Sequence, residues 1–175
     1  KRFFKRELGF FQESLEQFTG EKITSEKIRK EIELTNRNRS LIRAIYRYRL
    51  KNPPLIKGSE MISLLLAGGW LPPKDFNALL SDALEEIGKR SPERPARPRI
   101  LVWGSLLDNA AFYRMIEEAG GDVVTDDTCI GFRLFENDIA AGDPDTALKD
   151  HYFVNFQCPR TDRGPGTARF EYLLE

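Results

Sequence analysis

Two cysteines are the side chains whose chemistry reaches furthest beyond packing: Cys129 in "DVVTDDTCIGFR", residues 122–133, and Cys158 in "FQCPRTDRGPG", residues 156–166. As thiolates they are soft metal ligands, suited to an iron–sulfur cluster, and they are also nucleophiles. A cluster takes three or four such ligands, so one built here would draw on groups elsewhere in a longer chain or on a partner. The other use open to each is that of a small buried apolar residue. Without a CxxC pair or a disulfide framework they agree with a reducing, cytoplasmic compartment. The sole histidine, His151, is expected at the opposite end of the sheet, which disfavours a Cys–His nucleophile pair. Asp126 and Asp127 are adjacent, so along a strand they point to opposite faces, and their charge works against a free thiolate at Cys129.

What must position these groups is a parallel sheet. "ILVWGS", residues 100–105, is a run of β-formers; "DNAAFYRMIEEAGG" follows as a helix capped by Asp108, and "DVVT" is a second strand. Strand, helix, strand at this spacing is a βαβ unit with parallel strands. "PDTALKDHY" predicts a further helix and "YFVNF", 152–156, a third strand, before a helical pattern in "GTARFEYLLE". Both cysteines then follow strands directly. In open parallel sheets ligands bind beyond the carboxyl ends of the strands. That makes Gly104, Ser105, Asp126, Asp127, Gly131 and Arg133 candidates for contacting a substrate, and Cys129 a candidate metal ligand. The Gly104–Ser105 turn lacks a GxGxxG or P-loop pattern, although its amides suit an anion.

The first half reads as helices. Phe4, Leu8, Phe11, Leu15 and Phe18 recur at helical spacing before a capping Gly20, and this stripe must be buried against something. A longer helix starts at Thr24 or Ser25 and stops before Pro53 and Pro54. Its face runs Ile28, Ile32, Thr35, Arg39, Ile42, Tyr46, Arg49, apolar but interrupted by polar groups, with Asn36 and Arg39 open to solvent, helix–helix or ligand contacts. "GSEMISLLLAGGW" is a short helix capped by Ser59, and "PPKDFNALLSDALEEIGKR" a helix with proline at its start. The expected organisation is therefore a helical region at 1–90, a Pro-rich linker at 91–98 and a partial α/β domain at 99–175. Three strands without covering helices on one face belong to a larger polypeptide.

Lysines and arginines balance aspartates and glutamates at 27 each, but basic residues prevail before the linker and acidic ones after it. The basic residues lie among acids along helices, as solvated faces do, which speaks against nucleic acid as a partner. No apolar run approaches the ~18 residues of a membrane span.

Three segments carry a resemblance: "FTGEKITSEKIRKEIELTNRNRSLIRAIYRYR", "RILVWGSLLDNAAFYRMIEEAGGDVVTDDTCIGFR" and "FVNFQCPR". In this order, over nearly the whole chain, they resemble the subunits of the 2-hydroxyacyl-CoA dehydratase and benzoyl-CoA reductase family. The resemblance implies flavodoxin-like, Rossmann-like three-layer α/β domains with helical additions, of which residues 99–175 are a part. It also implies an oxygen-sensitive [4Fe-4S] enzyme of two different subunits, served by a separate ATP-hydrolysing activator that donates one electron at low potential. In the dehydratases that electron makes a ketyl radical of an acyl-CoA thioester, so that hydroxide leaves and a β-proton is removed; in the reductases it enters an aromatic ring. The family's cluster cysteines fall in segments that would precede Lys1 or follow Glu175. Cys129 is thereby implied to lie near cluster or substrate, and Arg39 is a candidate for CoA phosphate. A docking module for a sister subunit and a flavin binder using the Gly104 turn are the alternatives from other classes.

Overall fold

The polar-interrupted face of the second helix is the surface on which the chain is assembled. In the computed structural model, which describes residues 2–92, 95–156 and 171, α1 is Arg2–Thr19 and α2 Ser25–Arg49. The helices α3 (Gly58–Ala67) and α4 (Pro73–Gly88) come next. Strand β1 (Arg99–Trp103), helix α5 (Ala110–Glu118), strand β2 (Asp122–Asp127) and helix α6 (Pro144–Lys149) complete the order. Thr24 caps α2, its hydroxyl accepting from the Lys27 amide, and Gly20 closes α1 with φ +72°. Leu41, Ile42, Ile45 and Tyr46 of α2 pack with Met61, Ile62 and Leu65 of α3 and Phe76, Leu80 and Ile87 of α4. Val102, Tyr113 and Val123 of the strand–helix–strand unit join the same cluster, so one core serves both halves. Among the described residues no helix is long and apolar enough to cross a membrane.

The strands pair in parallel, as the βαβ spacing requires, with a register slip between Ile100 and Leu101 that leaves Val124 unpaired. Beyond it Val102 lies opposite Asp126 and Trp103 opposite Asp127. β2 is buried along all but Thr125, whereas β1 leaves Leu101 and Trp103 about half exposed.

Several expectations are corrected. Residues Asp150–Asn155 form a π-helical turn, not a third strand: no glycine or proline separates them from α6, so the helix runs on and seats His151 against α2. Asn109, not Asp108, caps α5, because its side chain reaches the Ala111 amide. Ser59 lies inside α3, where its amide and hydroxyl donate to the Glu117 carboxylate on α5 (3.1 and 2.6 Å); Lys57 holds the cap position. The α1 stripe is only part covered: Phe4 stacks on Phe153 at 4.9 Å, while Phe11 and Phe18 are exposed. Cys158 and the helical pattern of "GTARFEYLLE" apart from Glu171 lie outside the described residues.

Holding α2 to the sheet is a buried ion pair, Arg49 Nη1 to Asp126 Oδ2 at 2.7 Å, with both side chains essentially solvent-free. Removing one partner strands a buried charge, so Arg49→Met is expected to cost about 3–5 kcal/mol. The double variant Arg49→Met/Asp126→Leu should lose clearly less than the sum of the singles. A double-mutant cycle by urea denaturation checks this; additive losses would refute coupling.

Candidate functional site

At the carboxyl ends of the two strands the following loops run side by side. The Gly104 amide donates to the Asp127 carbonyl and the Cys129 amide to the Ser105 carbonyl, both at 3.3 Å, which carries the parallel pairing past the strands. Gly104, Ser105 and Cys129 are thereby brought together, Ser105 exposed, Gly104 and the free thiol of Cys129 half-buried.

The other candidates lie beneath this edge. Asp126 is buried and accepts from Arg49 at Oδ2, and at Oδ1 from the Tyr46 hydroxyl (2.9 Å) and the Phe132 amide (3.0 Å). Asp127 pairs with Arg133, Nε to Oδ1 at 3.4 Å. Arg133 is itself buried, and its guanidinium donates to the carbonyls of Thr128 (3.2 Å) and Asp127 (3.4 Å). The loop at 128–135 is thus folded back on the strand it leaves. Gly131 is pressed on Asp126 Oδ1, and a methyl group there would overlap the carboxylate and the Thr128 hydroxyl. Since each carboxylate stands beside a guanidinium, the negative surroundings expected for Cys129 are largely neutralised.

Sequence reasoning did not assign Tyr46 and Arg49 any role beyond the α2 stripe. The available signal was an arginine on the buried face, which has to be met by a buried acid. Burial, and then the charge of Asp126, hold the Tyr46 hydroxyl well above its ordinary pKa, so it stays a donor. The same two causes push Tyr113 up to about 12.

Further along α2, Asn36 bonds both backbone groups of Ile139 at 2.9 Å, and Arg43 donates to the Phe135 carbonyl (2.9 Å) and Asp138 (2.8 Å). Arg39 donates through Nη2 to the Tyr152 hydroxyl (2.9 Å) and contacts His151 Nε2 (3.1 Å). Arginine only donates, so Nε2 accepts and the imidazole is neutral with its proton on Nδ1. Burial, then the charge of Arg39, hold His151 below its ordinary value.

No group of three or more His, Cys, Asp or Glu among the described residues has the geometry to hold a metal. Cys129 is their one thiol, and the nearby carboxylates are occupied by arginines, so these residues do not fit an iron–sulfur cluster by themselves.

All of residues 1–175 match the family model described as 2-hydroxyglutaryl-CoA dehydratase, D-component. The chain is 30% identical over 145 residues to a benzoyl-CoA reductase subunit of Thauera aromatica, covering 81% of this chain and 38% of that protein. To the putative dehydratase subunit YjiM of Escherichia coli K12 it is 30% identical over 158 residues, 86% of this chain and 41% of the relative. To the (R)-phenyllactyl-CoA dehydratase beta subunit of Clostridium sporogenes it is 22% identical over 175 residues, 100% and 46%. The chain thus spans less than half the length of these relatives.

Two outcomes are expected. Gly131→Ala should cost about 1–3 kcal/mol by overpacking, read as a lowered urea midpoint; an unchanged midpoint would show that the loop has room. For His151, the folded state disfavours the imidazolium, so the unfolded chain binds the extra proton. Its contribution is complete above the unfolded value near 6.5 and is lost as pH falls through the lower folded value. Denaturation between pH 7.5 and 5 should show a steeper acid-side loss for wild type than for His151→Gln; superimposable profiles would remove His151 from the account.

Proposed function

Because the chain belongs to the family of the 2-hydroxyglutaryl-CoA dehydratase D-component, we propose that it is part of a subunit of a 2-hydroxyacyl-CoA dehydratase, which removes water from a 2-hydroxyacyl-CoA to give an enoyl-CoA. The family match along the whole chain carries this reading, and two relatives bear dehydratase names. In the proposal the complete subunit has flavodoxin-like three-layer domains and works in the cytoplasm beside a sister subunit. It receives electrons from an ATP-dependent activator and carries an iron–sulfur cluster whose ligands come mostly from outside this chain.

The chain's own part is to build the edge that faces the acyl-CoA or the cluster. Ser105 and Cys129 are the groups there whose side chains reach its surface; the Gly104 amide is already spent on pairing the loops. Asp126, Asp127, Gly131 and Arg133 act from below: the ion pairs hold the Cys129 loop in place, so their substitution is felt through its position. Since Arg39 is buried against Tyr152 and His151, CoA phosphate is better met by exposed basic residues. A second reading, a benzoyl-CoA-reductase-type subunit, is favoured by the 30% identity to the Thauera aromatica relative of that name.

The test is anaerobic reconstitution of the full-length subunit with its sister and activator, assayed on a 2-hydroxyacyl-CoA and on benzoyl-CoA. Enoyl-CoA formation from the first supports the dehydratase; ring reduction alone would replace it with the second reading. In that system Cys129→Ala is expected to lower turnover about tenfold or more, consistent with a loss of at least ~1.4 kcal/mol in the barrier. Normal iron would make Cys129 a substrate contact and lost iron a ligand, whereas full turnover with normal iron would leave it a packing residue.

A further inference from the structure

The π-helical turn Asp150–Asn155 touches α1 on one side and α2 on the other. α1 has no buried residue and is set off from α2 by an apolar groove of about 820 Å³. Its amino-terminal half is held by α6 and this turn: Phe4 stacks on Phe153, and Lys5 lies 3.6 Å from Asp143 at the cap of α6. The turn is in its own turn seated on α2 through His151 and Tyr152, which meet Arg39 Nη2 at 3.1 and 2.9 Å.

The contact between Arg39 and His151 holds in one protonation state. Neutral Nε2 accepts from the guanidinium, whereas a proton on Nε2 sets N–H against N–H and one positive charge against another at 3.1 Å, with both residues buried. The charges around the imidazole give it little relief. On α2 stand Arg39 and Arg43; Asp138, whose backbone meets the ring, has its carboxylate paired with Arg43 at 2.8 Å. Asp150, next to His151 in the chain, is paired with Lys149 at 3.0 Å, and Asp143 with Lys5 of α1. Burial and the charge of Arg39 therefore lower the basicity of His151 by more than Asp138 restores.

We infer that His151 and Arg39 form a proton-sensitive clasp, which holds α6 and α1 to α2 while the imidazole is neutral and lets go when the imidazole takes up a proton. Because the folded state keeps His151 below its ordinary value near 6.5, the clasp is shut at neutral pH and opens as pH falls through that lower value. α1, without buried residues, belongs to the least stable part of the structure and comes away while α3 and α4 stay packed in the core. Its release uncovers the groove walls Leu15, Ile28, Ile32 and Ile139. The clasp does not depend on the function proposed above.

The experiment is amide hydrogen exchange on the full-length subunit at about pH 7.5 and about pH 5.5, with labelling times matched to the intrinsic rates. From the higher pH to the lower, residues 2–19 and 144–155 are expected to lose protection about tenfold or more, while α3 and α4 keep theirs. His151→Gln, which still accepts from Arg39 and is uncharged at either pH, should keep its protection. Arg39→Met removes the opposing charge, so its protection should change with pH clearly less than that of wild type; it decides the matter if His151→Gln does not fold. Equal protection of wild type at both pH values, a loss in either variant as large as in wild type, or a loss shared equally by α3 and α4 would each overturn the inference.

Discussion

Arg49 and Asp126 meet in the interior, and the arrangement of both halves of the chain follows from how that charge pair is satisfied. Two ions removed from water repay their desolvation only when their remaining hydrogen-bonding capacity is also used. Here it is: the guanidinium gives Nη1 to the carboxylate and Nε and Nη2 to the Val123 carbonyl, while the carboxylate's other oxygen takes the Tyr46 hydroxyl and the Phe132 amide. One cluster thus ties a helix near the start of the chain to a strand some eighty residues later, and to the loop that leaves it.

That constraint divides the strand-end edge into a frame and a face. The frame is acidic and basic in equal measure, Asp126 with Arg49 and Asp127 with Arg133, and it is closed to solvent. Gly131 completes it, since the loop turns back so tightly that a side chain there would run into the Asp126 carboxylate. The face above is left to Ser105 and Cys129, laid side by side by a hydrogen bond between their loops. Residues clustered in one short motif therefore do different work: some fix a backbone path, and others are carried on it.

Much of the fold was legible from local patterns. The apolar spacing of α2 and α4, Thr24 and Gly20 as helix punctuation, and the βαβ spacing of β1, α5 and β2 are rules of neighbouring residues. The helical turn was not legible, because "YFVNF" has the composition of a strand, whereas residues 150–155 run on from α6 without a break and seat His151 and Tyr152 against Arg39. Ser59 looked like a cap until Glu117, far along the chain, proved to be its partner. As for the candidate site, the motif's place after a parallel strand could be read directly, but the burial of its charged residues could not, since each depends on a group elsewhere.

By itself, then, the sequence determined the helices, the parallel pair of strands, the edge at which Cys129 stands and, through its motifs, the family to which the chain belongs. Only the tertiary structure decided which charges are internal: that Arg49 faces Asp126, that Arg133 faces Asp127, and that Arg39 meets Tyr152 and His151 rather than an acid among the described residues. The physical reason is that secondary structure answers to neighbours a few residues away. Whether a charge can be buried depends on a partner that the chain supplies, or fails to supply, from far along its length.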